Sequence, residues 1–207
     1  MQWNKHPEIK NKHAFLSPSK CTWIRKTDDE LAEAWFNSFA TDVGTITHAF
    51  AADCVLQRHG LEEGDWRHLE FELLRNQIPH GAFDLGFIFP TVLNYVNDAI
   101  GYNMDPEIPL SYSDKCWGTA DAIQFRRRKL RIHDLKTGTT PAKIDQLMIY
   151  AALFFLEYRE KPEKASVELR IYQAGDILVC EPTAEEIREV MDQVIHANAF
   201  VQNLKEE

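Results

Sequence analysis

Cysteine is scarce in this chain of 207 residues, and positive charge is outnumbered. The four cysteines, Cys21, Cys54, Cys116 and Cys180, lie far apart with no Cys-x-x-Cys pair. Such spacing suggests neither a zinc site nor a disulfide framework, and reduced, mostly buried thiols are expected instead. No stretch approaches the roughly eighteen uninterrupted apolar residues of a membrane span, and the opening Met-Gln-Trp-Asn-Lys-His has no apolar core of signal-peptide length. A cytoplasmic protein with no membrane partner is the expectation. Repeats and low-complexity tracts are absent as well. Lys and Arg number 23 against 32 Asp and Glu, for a net charge of −9. A protein that coats nucleic acid is normally basic, because phosphate contacts supply most of that affinity. The deficit disfavours a simple nucleic-acid-binding module. It leaves room for an enzyme that holds a short stretch of DNA in a local basic groove, since a cleft can differ in sign from the average surface.

What is present is globular: 44% of residues are apolar and 27% charged. The length fits one domain over residues 1–207, with no linker between a helical part, about 15–104, and a mixed-sheet part, about 105–207. Ser17-Pro18-Ser19 reads as a helix start, with proline just inside the first turn. A second helix is predicted from Asp28 or Asp29, as cap, to about Phe39. A third is capped by Asp42, carries His48, Ala51, Ala52 and Val55 at helical spacing, and ends at Gly60. Further helices are predicted over 65–77 and 89–100. After Pro106 the period changes to two. Residues 107–113, 116–125 and 129–136 read as strands, 141–158 as an amphipathic helix, and 166–173 and 177–180 as strands joined by Ala174-Gly175-Asp176. Thr183 with Glu186 forms a capping box for a closing helix. A meander, a helix crossover and further strands imply an α/β (α+β) mixed sheet with helices on both faces.

The chemistry concentrates in one hairpin, Gly118-Thr-Ala-Asp121 and Asp134-Leu-Lys136-Thr-Gly138, around the polar run Arg126-Arg-Arg-Lys129. With the turn centred between Arg127 and Arg128, Asp121 faces Asp134 and Thr119 faces Lys136. Alternation keeps Asp134 and Lys136 on one face, and opposed Cβ atoms lie about 4.5–5.5 Å apart. Two carboxylates at about 5 Å repel by roughly 3 kcal/mol at an effective dielectric of about 20. A divalent cation relieves that repulsion and uses both as hard oxygen ligands. The same residues also fit a surface salt bridge between Asp121 and Lys136 with Asp134 solvated. On the first reading the patch suits phosphodiester hydrolysis, with Lys136 orienting water or stabilising the transition state.

At these residues the chain resembles the PD-(D/E)xK nuclease superfamily, in its RecB-like exonuclease branch. That branch carries Gly-x-x-Asp, then Asp-x-Lys-Thr-Gly, then Gln-x-x-x-Tyr on the next helix, matched by Gln146-Leu-Met-Ile-Tyr150. An upstream helical histidine after a Gly-Thr start is matched by Gly44-Thr-Ile-Thr-His48, and Leu16-Ser-Pro-Ser19 resembles the opening helix. The resemblance spans residues 15–160 and implies a restriction-endonuclease-like core with a helical N-terminal extension. It implies Mg²⁺ or Mn²⁺ held by His48, Asp121, Asp134 and the backbone carbonyl of Leu135, with Asp121, Asp134 and Lys136 as catalytic residues. Gln146 and Tyr150 would contact DNA or order the lysine, and Glu107 stands where some relatives have an extra acidic residue. Read without the motif, His48 equally fits a helix packing seam, and Gln146 and Tyr150 an amphipathic boundary beside Ile144, Leu147 and Ala151. Some relatives bind an iron–sulfur cluster through one early and three clustered late cysteines. Cys21 matches the first, but only Cys180 follows the Gln-x-x-x-Tyr helix, so no cluster is expected.

The expected activity is a deoxyribonuclease, an exonuclease acting on DNA ends in recombination, repair or phage DNA processing. DNA is the expected partner, with a homo-oligomer or a recombination protein as further candidates. A structure-specific or single-strand endonuclease shares the same motif, and an idle DNA-binding or assembly module would keep the fold. A metal-dependent hydrolase of another substrate has no specific support. The arginine run fits either a flanking phosphate contact or a solvated turn that protects a strand edge. Lys10, Lys12, Lys20, Arg25, Lys26 and Lys143 are candidate groove residues beside Lys136. Most of Trp23, Trp35, Trp66 and Trp117 are expected in the core, with stacking on unpaired bases as the alternative.

Overall fold

Period-two alternation after Pro106 builds a five-stranded sheet in the order β1-β2-β3-β4-β5. The strands are β1 Asp105–Ser113, β2 Cys116–Arg126, β3 Lys129–Lys136, β4 Ser166–Gln173 and β5 Asp176–Cys180. The computed structural model describes Pro7 and residues 14–204. β1, β2 and β3 form an antiparallel meander, β4 runs parallel to β3, and β5 returns antiparallel on β4. A parallel neighbour needs a crossover, and helix α5 (Asp145–Glu157) provides it. The α/β mixed sheet stands as expected.

Among the described residues four α-helices precede the sheet: α1 Asp28–Asn37, α2 Ala40–Leu56, α3 Trp66–Arg75 and α4 Leu85–Gly101. α6 (Ala184–Asn203) closes the described chain. Apolar stripes on α2, α3 and α4 form one core with Ala122, Leu135 and Tyr172 of the sheet. Leu147, Ala151 and Phe155 of α5 and Ile187 of α6 form a second core with Leu130, Ile132 and Leu169. Helices therefore cover both faces, and β3 contributes Leu135 to one side and Leu130 and Ile132 to the other, as alternation requires. Among the described residues no helix is long and apolar enough to cross a membrane.

Several boundaries differ from the sequence reading, each for a local reason. Pro18–Arg25 is a 3₁₀ helix rather than an α-helix. Thr27, not an aspartate, caps α1, because its hydroxyl and the Glu30 carboxylate satisfy both orphan N–H groups reciprocally. Asp42 lies inside the first turn of α2, where its charge complements the helix dipole without capping. That helix ends at Leu56 rather than Gly60, with Arg58 left-handed at φ 57°. α4 begins early because Asp84 accepts from the N–H groups of Gly86 and Phe87. The capping box of Thr183 and Glu186 on α6 is present.

The four named tryptophans stay outside the buried core, where Tyr95, Tyr172 and Phe155 supply the largest side chains. Trp117 is 66% exposed and Trp35 41%. The cysteines are free, yet only Cys54 is buried, while Cys21 is exposed and Cys116 and Cys180 are half-buried. Lys10 and Lys12 lie outside the described residues.

Candidate functional site

The hairpin register follows from the turn. Arg127 and Arg128, with φ of 50° and 60°, make a two-residue loop, and both central residues are left-handed. Pairing then runs from Arg126↔Lys129 through Ala122↔His133, as read from the sequence. It stops there, one pair short of Asp121 and Asp134. β2 continues on β1, while β3 continues on β4 as far as Lys136↔Gln173. The two strands part, and the wedge between them holds the candidate residues.

Asp121 bridges the opening. Its Oδ2 accepts from the backbone N–H of Leu135 at 2.8 Å, and its Oδ1 lies 3.4 Å from His48 Nδ1 on α2. Glu107 joins them from β1. It sits between Pro106, paired with Ala122, and Ile108, paired with Ala120. Its φ of 52° is a left-handed conformation in mid-strand, the kind of strain, about 1–3 kcal/mol, that collects at functional sites. One ligand atom from each of His48, Glu107 and Asp121 lies within 4.8 Å of the others. These residues open into a cavity of about 630 Å³ that also takes in Gly44 and Asp53. A larger cavity of about 820 Å³, between α3 and α4, contains none of the candidate residues.

Asp134 stands apart from that trio. It is 2% exposed, and Lys136 Nζ donates to its Oδ1 at 3.0 Å. The same ammonium lies 2.9 Å from Oδ2, yet Oδ2 is buried without a hydrogen bond. Lys136 Nζ also donates to Gln146 Oε1 at 2.9 Å, and Gln146 Nε2 reaches the Tyr150 hydroxyl at 3.5 Å. The i, i+4 spacing on α5 puts both side chains over the lysine. Gly118 makes room for this stack. A Cβ there would come within 2.8 Å of the Tyr150 ring.

Like charges and burial shift the titrations. Burial, then the charge of Asp121, pushes the Asp134 carboxyl up to about 6, against the pull of Lys136. Burial and Asp121 also raise Glu107. Burial opposes the charged form of His48, but the Asp121 carboxylate, with help from Asp134 and Glu107, outweighs it and raises the imidazole.

Three residues around the wedge carry no sequence signal that reveals their place. Tyr95 on α4 is buried, and burial plus the charges of Asp121, Glu107 and Asp134 hold its phenol well above the ordinary value. His133 is fully buried, its Nδ1 3.2 Å from the Tyr172 hydroxyl, which donates to Asp98 at 2.6 Å. Since the Tyr172 proton is committed, Nδ1 carries the histidine proton and Nε2 is left unpartnered. Gln173, at the end of β4, donates to the carbonyls of Gly138 and Thr140 and accepts from the N–H of Ala142. It staples the loop that leads α5 onto the site.

The residues fit a hard divalent cation. Asp134 is a buried carboxylate under repulsion from Asp121, and the neighbouring trio offers two carboxylates and an imidazole. Of the expected ligands, His48 and Asp121 come together with Glu107, which was only a possible ligand on the sequence. Asp134 lies outside that trio and is hydrogen-bonded to Lys136. The contact observed for Leu135 is its N–H on Asp121, not its carbonyl. No family model, curated protein or solved structure matches this chain.

Proposed function

We propose that this chain is a metal-dependent deoxyribonuclease of the PD-(D/E)xK superfamily, RecB-like branch, with a restriction-endonuclease-like core. On this reading it hydrolyses phosphodiester bonds at DNA ends, in recombination, repair or phage DNA processing. The observation that carries the reading is the buried Asp134 carboxylate, held by Lys136 under Gln146 and Tyr150, beside the His48, Glu107 and Asp121 trio.

His48, Glu107, Asp121 and Asp134 would hold Mg²⁺ or Mn²⁺. When bound, such an ion supplies Lewis acidity and shields charge on the phosphate. The chain's own groups do the rest. An ammonium has three donors, and Asp134 and Gln146 take two of those on Lys136. The third is directed to a phosphate oxygen or to the attacking water. Hydrolysis joins the water oxygen to phosphorus, breaks the bond to the leaving sugar oxygen and delivers a proton to it. Tyr150, held against Gly118, limits how far Gln146 and hence Lys136 can swing.

The test is digestion of end-labelled single- and double-stranded DNA with Mg²⁺, Mn²⁺ or chelator. Cleavage is expected with metal only, and is lost in Asp134→Ala and Lys136→Ala variants that still melt cooperatively. Full activity in chelator, or in folded Lys136→Ala, overturns the mechanism. Circular DNA distinguishes the endonuclease alternative, since a strict exonuclease leaves it intact.

A further inference from the structure

The tip of the β2–β3 hairpin carries a second cavity, of about 480 Å³, on the sheet face covered by α4. Gln124 and Arg126 of β2 alternate with Ala122 and so share its face, opposite Arg131 and Lys129 of β3. Gly101 and Tyr102 at the end of α4, Arg127 of the turn and Ser166 of β4 complete the lining. In a chain of net charge −9, this is a concentration of basic groups.

Two of those groups are committed. Glu168 takes Lys129 at 2.5 Å and Arg131 at 3.2 Å, and the Arg131 guanidinium lies 4.5 Å over the Tyr102 ring. Arg126 and Arg127 are not, and neither is Arg128 beside them in the turn, outside the cavity lining. Among the described residues no side-chain hydrogen bond or ion pair engages Arg126, Arg127 or Arg128. Their backbone is pinned, because the Arg128 carbonyl accepts from the N–H of Ser166 at 2.9 Å. Two neighbouring arginines also occupy left-handed positions that Asn-Gly or Asp-Gly would take with less strain. Protection of a strand edge does not explain them, because β2 and β3 are interior strands of the sheet.

We propose that this cavity is a phosphate-binding site for the nucleic-acid strand held at the candidate active site, an inference that rests on the nuclease reading. Arg126 and Arg127 supply the charge within the cavity, Arg128 adds to it from the turn beside it, and Arg131 stacked on Tyr102 stiffens the wall behind them. Asp121 and Arg126 are five strand steps apart, about 17 Å at about 3.4 Å per residue. Duplex phosphates along one strand advance about 3.4 Å each, so the tip meets the backbone about five nucleotides from the cut. The occupant is a polyanion long enough to span both cavities.

The double variant Arg127→Asn/Arg128→Gly tests this without endangering the fold, because it installs the preferred turn while removing two charges. Fluorescence anisotropy in chelator, over a salt series, reads binding of labelled DNA hairpins with stems of about 4 and about 25 base pairs, lengths that fall short of and exceed the span. The variant is expected to melt no lower than the native protein. Its affinity for the longer DNA falls roughly tenfold, its salt slope falls by about two, and its weak binding of the shorter DNA is unchanged. An unchanged slope and affinity for the longer DNA overturn the proposal. Loss of inorganic phosphate binding with native DNA binding also overturns it, in favour of a free-anion site. Cleavage of the shorter DNA in Mg²⁺ reports on the active site alone, so failure of the nuclease reading is seen separately.

Discussion

The backbone N–H of Leu135 donates to Asp121 Oδ2 at 2.8 Å, just beyond the last paired residues of β2 and β3. A side chain thus closes a gap that strand pairing leaves open, and the same carboxylate faces His48. Leu135 is fully buried, and a buried N–H without an acceptor costs about 1–3 kcal/mol. Asp121→Asn keeps the oxygen and removes the charge. It is expected to be as stable as the native protein but inactive. Asp121→Ala is expected to be less stable than Asp121→Asn by about 1–3 kcal/mol in urea denaturation. Equal stability of the two variants contradicts a structural role for the bond.

Asp134 makes a prediction about pH and metal. Its folded carboxyl titrates at about 6 against an ordinary 3.8, so the folded state holds the proton more tightly than the unfolded state. The group's contribution is greatest below about pH 4 and is lost as pH rises to about 6, by on the order of 3 kcal/mol. In chelator at neutral pH, Asp134→Asn is expected to be more stable than the native protein, with the difference gone near pH 4. Mg²⁺ raises the native Tm and not that of the variant. A variant that gains the same metal-induced shift rules Asp134 out as a ligand.

The adjacent residue on β3 behaves in the opposite sense. Burial, then Arg170 and Arg131, pushes His133 down to about 3 from 6.5. As pH falls below 6.5 the unfolded chain takes up a proton that the folded histidine refuses. Stability is complete above 6.5 and declines toward pH 3, by on the order of 5 kcal/mol. His133→Phe is expected to flatten the acid limb of a stability–pH curve. Parallel acid limbs for variant and native protein count against the assignment.

Gly118 and Tyr150 form a steric pair. A methyl at Gly118 meets the Tyr150 ring at 2.8 Å, so the ring moves or the backbone does. Gly118→Ala is expected to cost about 1–3 kcal/mol and to lower activity by loosening Gln146 over Lys136. Tyr150→Leu in that background restores stability without restoring activity. The readout is the coupling energy of the double-mutant cycle, and additive effects would remove Tyr150 from the site.

The hairpin was legible before the structure because its controls are local. Alternation and a two-residue turn set the register, and the spacing of Asp134, Lys136, Gln146 and Tyr150 set which groups share a strand face or a helix face. The capping box at Thr183 was legible for the same reason. What only the tertiary structure decided is how these pieces meet. The parting of β2 from β3 depends on β1 and β4 pulling the strands toward different partners. Glu107 joins His48 and Asp121 through a left-handed residue in mid-strand, which no alternation pattern announces. The shifts at Asp134 and His133 arise from burial, a property of packing against distant helices rather than of neighbours in the chain. The tryptophans were misjudged on the same account, since hydrophobic character alone does not say which aromatic ring the core has room for.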